Sequence, residues 1–348
     1  MSAKSEKKKC PYQDIGGQAV MEGVMMQSPA NESIAIAVRR PSGRIVVTCE
    51  KNTPLSKKHP WMGWPIIRGC VNMVLMLKMG MQTLDRSTQM LGVMEEEPTK
   101  FEKWLAEKLG AKIDKVVMAV AMVLAVVLSL FLFVALPTGA ATLAGLFTDS
   151  RLVINLVSGV TRVAILILYM WGIGFVPDIK RVFMYHGAEH KSIFCYESGL
   201  PLTVENAQKF TTLHPRCGTS FLVIVMVISI FIFTVLGTNS SNVFARVGSR
   251  LLLLPLVAGI SYEILKWLGR AEDTPIVRAL KWPGLMVQKI TTAQPTDDMV
   301  EVALISLKAS LGMPDALPKE LDPDYVAPTE EPEEAAQEGD APAEDKQA

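Results

Sequence analysis

The stretch Val116–Pro137, VVMAVAMVLAVVLSLFLFVALP, decides the class of the fold. It runs for 22 residues without a charge, and about 20 apolar helical residues cross a hydrocarbon core of roughly 30 Å. Working outward, three further runs have comparable character: Leu152–Pro177, which contains Asn155 and Arg162; Ser220–Gly237; and Leu251–Leu268, interrupted near its end by Glu263 and Lys266. These runs predict a mainly α membrane protein with about four transmembrane helices.

Ahead of the first span, residues 61–92 are apolar and rich in methionine, but Arg68 and Lys78 leave only nine residues between charges. That is too short to span. The segment reads as an interfacial amphipathic helix with Trp61 and Trp64 at headgroup level, or as a soft packing surface for the spans. Residues 14–55 read as a small N-terminal β unit. Its runs QAVMEGVMM, ESIAIAVRR and RIVVTCE are short and bounded by turn residues, and Pro41–Gly43 forms the connection between the second and third. Gly16 and Gly17 precede the first strand, where the backbone has reason for close approach. Glu22 is the one conspicuous charge on that run.

Charge divides the chain unevenly. From Asp315 onward there are 12 acidic residues and 2 lysines, leaving +10 on everything before it. The segment 315–348, rich in Pro, Ala and Glu, has nothing to bury and is expected to be a disordered acidic tail; residues 1–13 are expected to be a basic disordered arm, and residues 293–314 a short helical segment. No apolar h-region follows the basic N-terminus, so no cleavable signal peptide is expected. The basic residues Lys180, Arg181, Lys191, Lys209 and Arg216 crowd the loop between the second and third spans. The positive-inside rule therefore places that loop and both termini in the cytoplasm, and the protein in a bacterial inner membrane. The five cysteines, Cys10, Cys49, Cys70, Cys195 and Cys217, form no CxxC pair and argue for reduced thiols rather than a disulfide framework.

Chemistry concentrates in Phe183–Glu197, FMYHGAEHKSIFCYE. On a helix continuing out of the second span, His186, Glu189 and His190 fall on one face, because i, i+3 and i+4 are neighbours. Two imidazoles at that spacing hold one zinc ion while the carboxylate serves as general base, and the order His-x-x-Glu-His is the inverted zincin signature. The string LHPRCGTS adds His214 and Cys217, Glu197 lies two turns beyond His190, and Glu263 is a carboxylate inside a span, a functional suspect by default. His186, His190, His214 and Cys217 would make a closed structural site; His186, His190 and Glu263 would leave a place open for water. A solvated polar helix end is the bland alternative. Arg162, a lone arginine within a span, needs a carboxylate or a carbonyl, and Glu263 is one choice. If they pair, the open site loses its third ligand. His59, before Pro60, reads as solvated.

Several strings together, GGQAVMEGVMM, DIKRVFMYHGAEHKSIFCYE, LTVENAQKFTTLHPRCGTSFL, LPLVAGISYEILK and WPGLMVQKITT, resemble the YqhQ-like family of bacterial multi-pass membrane proteins of unknown function, described as predicted metal-dependent enzymes. The resemblance runs from about Asp14 to Thr292. Gln27 departs from the arginine usual in the family. The resemblance implies a membrane protein with a metal centre, directs attention to Glu22, His186, Glu189, His190, His214, Cys217 and Glu263, and supplies no substrate.

The leading expectation is thus an inner-membrane, zinc-dependent hydrolase with its site at the cytosolic face, near membrane lipid. The competing one is a non-enzymatic scaffold whose polar cluster fixes the loop, with a protein partner or a second copy engaged through the β unit. No nucleic acid is expected. Four spans without an internal repeat disfavour a transporter.

Overall fold

The computed structural model describes residues 15–53, 59–92, 113–236, 243–272 and 274–313. The expected basic arm and the whole of the expected acidic tail lie outside the described residues.

The N-terminal unit is a four-stranded antiparallel sheet of β1 (Gly16–Val20), β2 (Gly23–Ser28), β3 (Ser33–Arg39) and β4 (Ile45–Lys51), in that order. The run read as one first strand is therefore two. It folds back at Met21 and Glu22, pairing Val20 with Gly23. Glu22 takes a φ of +50°, unusual for a residue with a Cβ. Gly23 follows because a Cβ there would lie 2.2 Å from the Ala37 carbonyl. Gly43, at φ +83°, closes the turn between β3 and β4.

Both faces of this sheet are covered, so its strands read as nearly continuous apolar runs. Val24, Met26 and Ala37 point one way; Val20, Met25, Ile36 and Val38 point the other. The first face meets α10 (Asp297–Ser310), whose Val300, Val302, Ala303 and Leu307 are fully buried, and α5 (Pro177–Glu197). Burying each of the valines and the leucine contributes roughly 1.5–3 kcal/mol as an upper estimate. Ser306 Oγ donates to the Ala35 carbonyl at 3.0 Å, and Arg39 pairs with Glu301 at 2.7 Å, fixing the register of helix on sheet. The second face meets the C-terminal half of α1 (Ile67–Leu91), where Leu91 joins its core.

Among the described residues, four helices are long and apolar enough to cross a membrane: Val120–Ala144, Leu152–Ile173, Gly218–Val235 and Gly248–Arg270. The first outlasts the proline expected to end it. Here α2 (Ile113–Leu130) widens into a π turn at Phe131–Ala135 and continues as α3 (Leu136–Ala144). Pro137 offers no N–H to the carbonyl of Phe133 four residues earlier, and the widened turn accommodates the loss. The second span, α4 (Arg151–Ile173), does not run on into the polar helix as the sequence reading expected. The chain breaks at 174–176, because Pro177 pushes Val176 to an extended ψ of 124°, and α5 starts afresh with the proline in its first turn.

After the short α6 (Val204–Gln208), the third span is α7 (Gly218–Val235), the fourth lies in α8 (Val243–Arg270), and α9 (Pro275–Thr291) packs against α7 through Gly284. A Cβ on Gly284 would lie 2.7 Å from Ser220 Oγ. Gly159 serves α4 against α7 in the same manner, its missing Cβ occupied by Ile230. The N-terminal half of α1 is seated on α8, with Gly69 against Gly259 and Asn72 Nδ2 donating to Tyr262 Oη at 2.8 Å. Its opposite face leaves Val74, Leu77 and Met81 exposed.

Candidate metal centre

The site lies where α5 meets the start of α7 and the segment after α9. Gly187 makes this meeting possible: a Cβ there would lie 2.2 Å from the Ala293 carbonyl. Ala293 N–H in turn donates to the Phe183 carbonyl at 2.9 Å. The chain after α9 is thereby laid along α5, bringing the Thr291 carbonyl to His186.

His186 Nδ1 lies 2.9 Å from that carbonyl, and His190 Nδ1 is hydrogen-bonded to the carbonyl of Thr212. A carbonyl can only accept, so each Nδ1 carries the proton and each Nε2 presents a lone pair. Both Nε2 atoms turn toward Cys217. His186 Nε2 is 3.2 Å from Cys217 Sγ, near the roughly 3.5 Å that tetrahedral zinc imposes between a nitrogen and a sulfur ligand. The donor atoms of His186, His190 and Cys217 all lie within 4.8 Å of one another. His190 Nε2 is buried and makes no hydrogen bond among the described residues. A buried lone pair without a donor costs free energy unless a cation occupies the position. Burial also depresses the His190 pKa, with Cys217 opposing, which keeps the imidazole neutral as a metal ligand must be.

Cys217 is held as the N-cap of α7, its sulfur accepting from Thr219 N–H at 3.4 Å. That helix end favours negative charge, as a thiolate ligand carries. Its approach is set by Gln288, fully buried on α9. Gln288 accepts from His214 N–H at 2.8 Å and donates to the His214 carbonyl at 2.8 Å and to Ser220 Oγ at 3.0 Å. On the far side of the loop, Lys191 Nζ donates to the carbonyls of Gln208 and Phe210 at 2.8 and 2.6 Å. Its pKa is lowered by burial.

The other sequence candidates take different places. His214 stands 5.6 Å ring to ring from His190 but spends its Nδ1 lone pair on the N–H of Arg216 at 3.3 Å. Its Nε2 therefore bears the proton, 3.6 Å from Glu197 Oε2, and burial pushes its pKa down to about 4. Glu197 pairs with Arg216. Glu189 is buried, its Oε1 only 2.8 Å from where a Cβ on Gly17 would sit, and it does not join the three donors. The close approach anticipated for the glycine pair is thus made by Gly17 onto this carboxyl. Burial raises the Glu189 pKa, with His186 and His214 opposing, and its Oε2 has no hydrogen-bond partner among the described residues. Glu22 binds Arg181 through both carboxylate oxygens and accepts from Tyr185 Oη at 3.3 Å, tying the β1–β2 turn to the part of α5 that leads into His186.

The two intramembrane charges do not meet. Glu263 takes a two-pronged bond from Arg68 of α1, with Nε to Oε1 at 2.6 Å, and so lies with α1 rather than among the donors. Arg162 Nε donates at 3.3 Å to the Phe133 carbonyl, the acceptor that Pro137 cannot serve.

Sequence reading missed the carbonyls of Thr212 and Thr291, which carry no side-chain signature. It also missed Gln288, although an amide on the buried face of α9, between Val287 and Thr291, was a legible anomaly.

Four apolar spans, a covered sheet and a compact His/His/Cys group define a class: a multi-span membrane protein with a possible metal-binding cluster. The chain belongs to the family described as "Protein of unknown function (DUF1385)", which it matches over residues 64–313. It is similar to the "Uncharacterized protein YqhQ" of Bacillus subtilis (strain 168), 34% identical over 298 residues, covering 85% of this chain and 92% of that protein. These matches agree with the resemblance carried by the sequence strings. No solved structure matches the chain.

Proposed function

We propose that this protein is a metal-dependent membrane enzyme, a hydrolase, with a zinc-class ion held by His186, His190 and Cys217. One observation carries the reading: two imidazoles, each fixed by a backbone carbonyl at Nδ1, aim their Nε2 lone pairs at one thiol within 4.8 Å. Three protein donors leave a fourth position for water or substrate, the arrangement of catalytic rather than structural zinc. A bound ion of this kind supplies Lewis acidity and lowers the pKa of water. Glu189, on the same helix and held toward its protonated form by burial, is the nearby group suited to carry a proton. The excess of basic residues between the second and third spans supports placing this centre and both termini on the cytoplasmic side of a bacterial inner membrane.

A second reading is favoured by His214, whose buried Nε2 makes no hydrogen bond among the described residues. A ring flip that released Nδ1 from Arg216 would offer a fourth donor and close the site as a structural centre, leaving the β unit to engage a partner.

Metal analysis of purified protein separates the readings. The wild type is expected to carry stoichiometric metal, His186→Ala to lose it, and Glu189→Gln to keep it while losing function in cells. A wild type that neither carries nor takes up a transition metal overturns both readings. Metal-replete Glu189→Gln that supports cells as the wild type does favours the structural one.

A further inference from the structure

Between α7, α8 and α9 lies a groove of about 380 Å³, within the roughly 300–1,000 Å³ of small-molecule sites. Its walls include Val223, Ile224 and Val227 of α7, Leu265 and Leu268 of α8, and Leu280 of α9. Two of the three walls belong to segments apolar and long enough to span a membrane. At hydrocarbon depth an aliphatic slot is filled by hydrocarbon, because water finds no polar partner there.

The groove also has aromatic and basic neighbours. Trp267 on the wall and Trp282 on α9 are 54% and 60% exposed, and tryptophans with one wet edge gather at headgroup level. Lys281 lines the groove beside Trp282, and no acidic side chain lines it among the described residues. Pro215 and Ser220 also line the groove. Ser220 is one turn from Cys217, to whose carbonyl its N–H donates at 3.1 Å.

We propose that this groove binds an acyl chain of an anionic phospholipid, with the headgroup phosphate held at Lys281. The chain chemistry follows from the walls and the headgroup sign from the lysine, since anionic lipids gain about 1 kcal/mol per nearby basic residue. A helix of a second copy, about 10 Å across with its side chains, is too wide for a slot of this volume already walled by three helices. Occupancy rests on the groove and not on the metal centre.

The test uses the full chain in detergent, stripped of lipid, and titrated with phosphatidylglycerol or phosphatidylcholine under native mass spectrometry. The structure predicts one tightly held phosphatidylglycerol, in metal-loaded and chelated protein alike. Lys281→Gln is expected to weaken it about fivefold, the equivalent of roughly 1 kcal/mol, and to narrow the preference over phosphatidylcholine. Ile224→Trp, which fills the slot, is expected to remove the bound lipid. Ala279→Trp at the outer edge serves the same purpose if Ile224→Trp fails to fold. Lys289→Gln, exposed on the same helix, is expected to change nothing. Equal retention of both lipids, unmoved by Lys281→Gln and by whichever filling variant folds, overturns the proposal and leaves annular lipid only. A stable dimer that a filling variant dissociates also overturns it and makes the groove an interface between copies.

Discussion

The carbonyl oxygen of Ala293 occupies the space beside Gly187, 2.2 Å from where a Cβ would be. That contact holds the Thr291 carbonyl against His186, so a methyl group there acts on the candidate metal centre without touching a donor. Gly187→Ala is expected to destabilise the protein by about 1–3 kcal/mol, the usual cost of overpacking, and to lower metal content. Thermal unfolding in detergent with metal analysis checks both. Gly16→Ala, with nothing within 4 Å of its Cβ, is expected to be silent.

Gln288→Leu leaves the backbone N–H of His214 unpaired in a buried place and removes one of the two bonds its carbonyl accepts, the other coming from Cys217 N–H at 3.3 Å. An unpaired buried donor costs about 1–3 kcal/mol. Unfolding should therefore come markedly earlier, with weaker metal retention as the loop bearing Cys217 loosens. Gln288→Glu keeps the acceptor for His214 N–H but loses both donated bonds, and should fall between wild type and Gln288→Leu.

Cys217 has two duties that substitution can part. Cys217→Ser keeps an N-cap side chain, which serine performs well, but removes the soft thiolate. Near-native stability with strongly reduced metal binding is expected, whereas Cys217→Ala should also lose about 1 kcal/mol of capping. In the wild type, chelator treatment should speed alkylation of Cys217, read by peptide mass spectrometry, because a coordinated thiolate is shielded. Unchanged labelling would count against coordination by sulfur.

Glu263→Gln tests the division between pairing and ligation. Its carboxylate is bound by Arg68, so the variant should keep full metal content while losing stability. A cycle with Arg68→Gln should show the two losses to be non-additive. Loss of metal in Glu263→Gln would show that this carboxylate reaches the centre.

What could be read from the sequence follows physical lines. The spans were visible because a lipid core demands long uncharged runs, and the shared face of His186 and His190 because helix geometry ties i to i+4. Details set by non-local contacts were not visible. Glu263 and Arg68 are 195 residues apart in the chain, and nothing near either names the other. The distinction between Cys217 as donor and His214 as neighbour depends on which lone pair a backbone N–H claims, which spacing does not encode. The fold-back at Glu22 hid because glutamate at positive φ is an uncommon turn residue. The break before α5 was signalled by Pro177, yet the run beyond it looked helical enough to join.

The layering of the sheet bears on how the chain is made. Its strands end at Lys51, but the helix that covers one face begins at Asp297, after all four apolar spans. At roughly 5–20 residues per second, the strands wait about ten seconds or more for their cover while the intervening segments insert. During that interval Val24, Met26 and Ala37 present an open apolar face. The sheet is thus made well before the helix that completes its core, and its apolar face lies uncovered until Asp297–Ser310 arrives.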